Sequence, residues 1–262
     1  TMARNPKALN SLLSGSADGD VRIWDVAGRR CLRKLVGHTG AVKGLAVTPC
    51  GRFAISASTD CTVRMWEVPP PPVAGGTVQE DSTPLTIYEG KNAFLGVDHH
   101  RTRNQFATSG ADVQLWDHNR IESVGTYTWG HDTVTSVRFN PAETDLFAAT
   151  SSDRGVVLYD IRSSTPVRKV IMMKKSNAVC WNPMEPLNFT IANEDSCLYS
   201  YDLRNLSMST CVHKDFVSAV MSVDYSPTGR EFVAGSYDRT VRIFRNNGGH
   251  SREVYHTKRM QR

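Results

Sequence analysis

"SSDRGVVLYDIRSS" (residues 151–164) and "NEDSCLYSYDLRNL" (193–206) are one arrangement written twice. In each, an Asp precedes a Tyr by six residues, a second Asp follows the Tyr, and an Arg stands two residues beyond that Asp. The pattern extends outward. Aromatic-plus-acid marks stand at Trp24-Asp25, Trp66-Glu67, Trp116-Asp117, Tyr159-Asp160 and Tyr201-Asp202, with Phe244 as a degenerate sixth, at spacings of 42, 50, 43, 42 and 43. Asp18, Asp60, Asp153, Asp195 and Asp238 each sit six residues before their aromatic, while in the third unit Asp112 sits only four before. A Pro closes an inner strand at Pro6, Pro49, Pro141, Pro183 and Pro227. A period near 42 residues is the mark of a repeat architecture.

Within each unit the pattern is one of short strands. "AVKGLAV" (41–47), "FAISAS" (53–58) and "TVRMWEV" (62–68) are runs rich in Val, Ile and aromatics, broken by Pro-x-Gly and Asp-containing turns. No stretch sustains a helical period over a dozen residues. Four strands per unit make the blade of a β-propeller, in which radial stacking buries both faces of each small sheet. The fold expected over residues 1–262 is therefore an all-β propeller of six units, truncated at both ends. Unit one opens on the last few residues of an inner strand and unit six ends on an outer one. An incomplete seven-bladed ring is the expected whole, and a complete six-bladed ring is the alternative.

The bulk numbers agree. At 262 residues and 40% hydrophobic, the chain can bury a large core. A formal charge of +5 is mildly basic and compatible with an RNA-rich environment. The six Cys form no C-x-x-C pair, which excludes a zinc ribbon or redox motif and reads as reduced core thiols of an intracellular protein. No apolar run is long enough to span a membrane.

The units resemble WD repeats, and the second is the most complete: Gly37-His38, Asp60, then Trp66-Glu67. The resemblance implies a buried hydrogen-bonded lock of His38, Asp60 and Trp66 with Ser56 or Ser58. His131 repeats the Gly-His mark, but with Tyr159 in place of Trp; the third and fifth units lack the His, so packing is expected to hold those blades.

No enzyme constellation is present: no P-loop, nucleophile elbow, H-E-x-x-H or dinucleotide fingerprint. No catalytic, metal or cofactor-binding residues are therefore assigned, and no cofactor or small-molecule substrate is expected. Asp98-His99-His100-Arg101 is a dense polar knot where unit three lacks the usual Pro, and it reads as a polar turn and rim contact. The sequons at Asn188 and Asn205 carry no meaning in an intracellular protein. "PPPPVAGGTVQEDSTP" (69–84) accounts for the one long spacing and reads as a flexible loop between the third and fourth strands of blade two.

Asp160-x-Arg162 and Asp202-x-Arg204 resemble the W/Y-D-x-R signature of WD-repeat receptors that dock on a cullin-RING ubiquitin ligase adaptor. The chemistry suits Arg, whose planar fork takes carboxylates bidentately. A strand-end Arg paired to its own Asp is the plainer reading. A receptor requires these arginines exposed and free, with at most one carboxylate partner each.

Finally, "GVDHH" (96–100), "VCWNPMEP" (179–186), "ANED" (192–195), "VDYSPTGREFV" (223–233) and "SREVYHTKRMQ" (251–261) closely resemble the Sof family of nucleolar WD-repeat proteins. That resemblance implies a non-enzymatic scaffold of the small-subunit processome, in the nucleus and nucleolus, working on pre-rRNA beside other processome proteins and small nucleolar RNPs. Animal relatives are also described as cullin-ligase substrate receptors, which is the alternative function. Lys258, Arg259 and Arg262 of the closing segment are the expected assembly or RNA contacts.

Overall fold

The computed structural model describes residues 1–8, 10–68, 79–81, 83–128, 133–163 and 165–256. Among them there is no helix. The strands form six sheets, each with four antiparallel strands that follow chain order from inner to outer. Blade 1 uses Met2–Arg4, Ser11–Gly15, Val21–Asp25 and Arg30–Leu35; blade 2 uses Val42–Val47, Phe53–Ser58, Thr62–Glu67 and Thr86–Glu89; blade 3 uses Gly96–His99, Gln105–Ser109, Val113–Asp117 and Gly125–Tyr127. Blade 4 uses Val134–Phe139, Leu146–Ser151, Gly155–Asp160 and Pro166–Ile171; blade 5 uses Ser176–Trp181, Asn188–Asn193, Leu198–Asp202 and Cys211–His213; blade 6 uses Val220–Tyr225, Glu231–Ser236, Thr240–Arg245 and Ser251–His256. Blades 1–3 belong to one compact unit and blades 4–6 to a second.

Every aromatic of the repeat falls on a third strand, opposite a fixed position of the second. Trp116 pairs with Phe106, Tyr159 with Phe147, Tyr201 with Phe189 and Phe244 with Phe232. These rings stack at centroid distances of 6.3, 5.0, 5.8 and 5.4 Å. Directly opposed aromatics of this kind each contribute roughly 0.2–1 kcal/mol beyond Ala pairs.

The six-residue offset has a local cause. In five blades the residue after the turn Asp takes a left-handed backbone: Gly19 (φ 89°), Cys61 (64°), Arg154 (70°), Ser196 (69°) and Arg239 (67°). Four of the five are not glycine, so the conformation is held against its intrinsic cost. The Asp holds it: Oδ1 of Asp60, Asp153, Asp195 and Asp238 accepts the backbone N–H two residues on, at 2.9–3.0 Å. This fixes the tight turn and hence the start of the third strand.

The opposite face is organised by a second turn, between inner and second strands. Asn5, Asn140 and Asn182 each accept two backbone N–H groups through Oδ1. Their Nδ2 groups donate to the next blade, at Gly51, Pro186 and Gly229 carbonyls respectively. In blade 3 His100 takes this place, its Nδ1 accepting from the Thr102 and Arg103 amides at 3.1 and 2.9 Å. His99 and His100 are both buried while Arg101 is exposed, so the Asp98–Arg101 knot is a polar turn anchored by two buried imidazoles.

Three expectations are corrected. Residues 79–81 of the insert form a short strand, parallel to Arg30–Leu35, that adds a fifth strand to blade 1; residues 69–78 and 82 lie outside the described residues. The cysteines are free, but none belongs to the fully buried core: five are half-buried and Cys50 is exposed. Blade 5 is held by more than packing, as the next section describes.

Candidate functional site: two arginine forks and the polar chains behind them

Blade 2 carries a complete lock. Trp66 Nε1–H donates to Ser56 Oγ at 2.8 Å, and Ser56 Oγ lies 2.7 Å from His38 Nε2. His38 Nδ1 meets Asp60 Oδ2 at 2.8 Å, and the Thr39 amide donates to the same oxygen. Burial lowers the His38 pKa against the pull of Asp60, so the ring is neutral, with Nδ1–H donating to Asp60 and Nε2 accepting from Ser56. Burial pushes the Asp60 carboxyl up, but the Thr62 hydroxyl, His38 and the Thr62 amide outweigh it and hold the group at about 2.

The other blades keep parts of this arrangement. Trp24 donates to Ser14 at 2.8 Å and Trp116 to Thr108 at 2.9 Å. In blade 6, Phe216 and Phe244 stand at the sequence offset of His38 and Trp66 and touch ring to ring at 5.7 Å. Asp238 still grips the preceding connection through the Val217 amide. His131 of blade 4 lies outside the described residues.

Blade 5 substitutes a different chain. Tyr225 Oη lies 2.6 Å from Thr190 Oγ1, which lies 2.8 Å from Ser200 Oγ, which lies 3.2 Å from His213 Nε2. His213 Nδ1–H donates to the Gly248 carbonyl at 2.6 Å. Tyr225 and Gly248 belong to blade 6, so this chain straps two blades. Burial lowers the His213 pKa and raises that of Tyr225 to about 12, keeping both neutral. Repeat matching misses it because Thr190 and Ser200 occupy strand positions facing away from the Tyr201 side. The available signal was two hydroxyls directly opposite each other on neighbouring strands, on a buried sheet face where apolar residues are usual.

The repeated Y-D-x-R motifs lie beyond the third strands of blades 4 and 5, on the side of the Asn-Pro turns. Asp160 Oδ1 accepts the Arg162 amide at 2.9 Å, and the guanidinium returns to the same carboxylate through Nε (3.0 Å) and Nη2 (2.8 Å). Arg204 repeats this on Asp202, with its amide at 2.9 Å, Nε at 3.0 Å and Nη2 at 2.6 Å. Hydrogen bonds from these arginines hold both carboxyls below the usual range. Both side chains stay open to solvent, at 68% and 73% relative exposure.

The arginines are therefore exposed but not free. Arg162 also has a second carboxylate, Asp145, at 3.7 Å, against the single partner expected. The Asp takes only the Nε–Nη2 edge of the fork, so the geometry orients the guanidinium and leaves Nη1 without a partner among the described residues, able to take a further acceptor. Blades 1 and 3 make the same Asp turn on Ala27 and Asn119, which carry no charge, although Arg30 of the next strand brings its Nε within 3.8 Å of Asp25 Oδ2. The paired forks are thus peculiar to blades 4 and 5. Lys258, Arg259 and Arg262 lie outside the described residues. Among the described residues, no group of three or more His, Cys, Asp or Glu could hold a metal ion.

The repeat is a known one: the model for the WD domain, G-beta repeat, matches residues 5–25, 29–67, 122–160 and 207–245. The chain belongs to the WD-repeat family. It is 48% identical over 260 residues to DDB1- and CUL4-associated factor 13 of Danio rerio and 46% identical to that of Mus musculus. It is 44% identical over 277 residues to Protein SOF1 of Saccharomyces cerevisiae. Each comparison covers 99% of this chain and 57% of the relative, so the chain spans a little over half the length of the curated relatives it matches. The Sof-family likeness read from the distinctive segments therefore runs across the whole chain.

Proposed function

We propose that this WD-repeat chain is part of a non-enzymatic scaffold for ribosomal small-subunit biogenesis and pre-rRNA processing in the nucleolus. The carrying observation is the 44% identity to Protein SOF1 across 99% of the chain, which joins it to the Sof family. Its partners on this reading are other small-subunit processome proteins and pre-rRNA with its small nucleolar RNPs. A propeller suits such work because each blade offers separate loops on two faces, so binding is spread over many modest contacts.

A second reading, substrate receptor of a cullin-RING ubiquitin ligase, is favoured by one specific feature. Two exposed, pre-oriented arginine forks lie one blade apart, in a chain that resembles proteins named DDB1- and CUL4-associated factor 13. Exchanging an exposed Asp partner for another carboxylate costs little, since such pairs are screened by solvent. Affinity purification of the full-length protein with and without nuclease tests both. The scaffold reading expects pre-ribosomal RNA and processome proteins to co-purify, and the RNA-dependent share to fall after nuclease. Recovery of a ligase adaptor with no pre-ribosomal component would reverse the order of the two readings.

A further inference from the structure

Between blades 4 and 5, on the face that carries the arginine forks, lies a cleft of about 300 Å³. Its walls are Leu146, Leu158, Val167, Trp181 and Leu203, and its rim is formed by Arg168 and Arg204. A fold feature shapes it. The outer strand of blade 4 shifts register opposite Leu158 and Tyr159, which pair with Arg168 and Pro166, so Val167 is an extra residue in the ladder. Such a bulge re-aims side chains locally, and here two consecutive residues, Val167 and Arg168, both border the cleft. Trp181 forms a fixed wall, because its Nε1–H is committed to the Arg138 carbonyl at 3.0 Å.

The volume lies at the bottom of the range for small-molecule sites and suits one large apolar side chain. Charge specifies what stands beside it. Arg204 is compensated by Asp202, whereas Arg168 is exposed and its side chain makes no hydrogen bond or ion pair among the described residues. An apolar cleft with one uncompensated cation at its mouth is complementary to an apolar anchor next to a carboxylate. We propose that this cleft docks a partner protein segment that inserts one Phe- or Leu-sized side chain and sets an adjacent Asp or Glu on Arg168. The inference deepens the scaffold reading and rests on it only in taking the occupant to be a protein.

The probes are three peptides: acetyl-Gly-Phe-Asp-Gly-amide, its Phe-Lys counterpart and its Ala-Asp counterpart. Each is titrated into the intact protein while the Trp181 indole N–H and the Leu146 and Leu203 methyl signals are followed by NMR. The Phe-Asp peptide is expected to shift these signals, and the Ala-Asp peptide to bind at least about tenfold more weakly for want of its anchor. Val167→Arg should abolish the response, and Arg168→Glu should reverse the preference between Phe-Asp and Phe-Lys. Both positions are exposed on an outer strand, and an unchanged thermal midpoint verifies that each variant folds. Absence of any shift, or a shift that survives Val167→Arg, overturns the cleft as a docking point; equal binding of Phe-Lys and Phe-Asp overturns the carboxylate half. The assay contains no other protein, so its failure falls on the cleft alone, while co-purification tests the scaffold reading separately.

Discussion

Blade 2 and blade 5 both bury a chain of polar side chains that includes a histidine, and they bury it on opposite sides of the sheet. In blade 2 the chain runs Trp66–Ser56–His38–Asp60, and Trp66 packs with Leu13, Leu35 and Val42, toward blade 1. In blade 5 it runs Thr190–Ser200–His213 and crosses to Tyr225 of blade 6. The first fixes a turn and a connection within one repeat. The second ties one repeat to the next. A repeat protein depends on both kinds of term, the stability of the unit and the stability of its interface, and here different blades supply them with the same side-chain chemistry.

Acid should strike both chains together, and this is the largest effect expected. Burial lowers the pKa of His38, His118 and His213, and burial with the neighbouring His118 and His100 lowers that of His99 to about 4. Below the ordinary value of 6.5 the unfolded chain takes up protons that the folded one refuses, so stability falls as pH drops from 6.5 toward 4. His99 alone accounts for about 3 kcal/mol at the lower end. The carboxylates add nothing in this window: Asp60 and Asp215 are held at about 2, so their contribution is lost only below about pH 3.8. Urea denaturation at pH 7, 6, 5 and 4 checks the slope, and His99→Gln should flatten it. A flat profile in the native protein would mean that these rings are charged or solvated.

His38→Ala comes next. It leaves Asp60 and Ser56 without their buried partner, at a cost of roughly 1–3 kcal/mol. The thermal midpoint should fall accordingly. Tyr225→Phe, at the blade 6 end of the strap, should cost less, about 0.5–1.5 kcal/mol, because the hydroxyl is removed while Thr190 keeps Ser200. The two losses should add when combined, since the chains share no residue. Hydrogen exchange separates them further: His38→Ala should loosen amides of blade 2, and Tyr225→Phe those along the inner strand of blade 6. A reversed order of costs would make the strap, rather than the lock, the stronger device.

What the sequence made legible follows the same division. Third-strand aromatics, Asp turns and the blade 2 lock are local or fixed-offset features, and the Asp turn alone sets the Asp-to-aromatic spacing. The first three strands of blades 3 and 5 fall outside the residues matched by the repeat model, yet each blade is a four-stranded sheet. They lack the Gly-His mark but keep the alternation that buries Phe106 and Phe189. The blade 5 strap was not legible, because Thr190, Tyr225 and Gly248 are joined by stacking between blades and recur at no fixed offset. His100 hid differently: it does the work of an Asn in the column of Asn-Pro turns, and its position in that column was the usable signal. At the candidate site, the sequence located the two arginines but not their state. Whether a strand-end Arg is free or forked depends on the turn that returns it to its own Asp, and in Arg162 also on Asp145, from a different turn.

The smallest effect on stability should come from that pair, and it bears most directly on function. Arg162→Asp with Arg204→Asp removes two exposed ion pairs and places each new carboxylate near the old one, within the turn the backbone amide still caps. Exposed pairs are screened by solvent and contribute little to stability, so the thermal midpoint should move little beside that of His38→Ala. If the forks serve a ligase adaptor, the double variant should lose adaptor co-purification while keeping its association with pre-ribosomal particles, because a multi-contact scaffold spreads binding over many loops. Loss of both associations by a folded protein would assign the forks to the ribosomal assembly. Loss of neither would leave Asp160–Arg162 and Asp202–Arg204 as turn closures, two blades' version of the device that Ala27 and Asn119 complete without a charge.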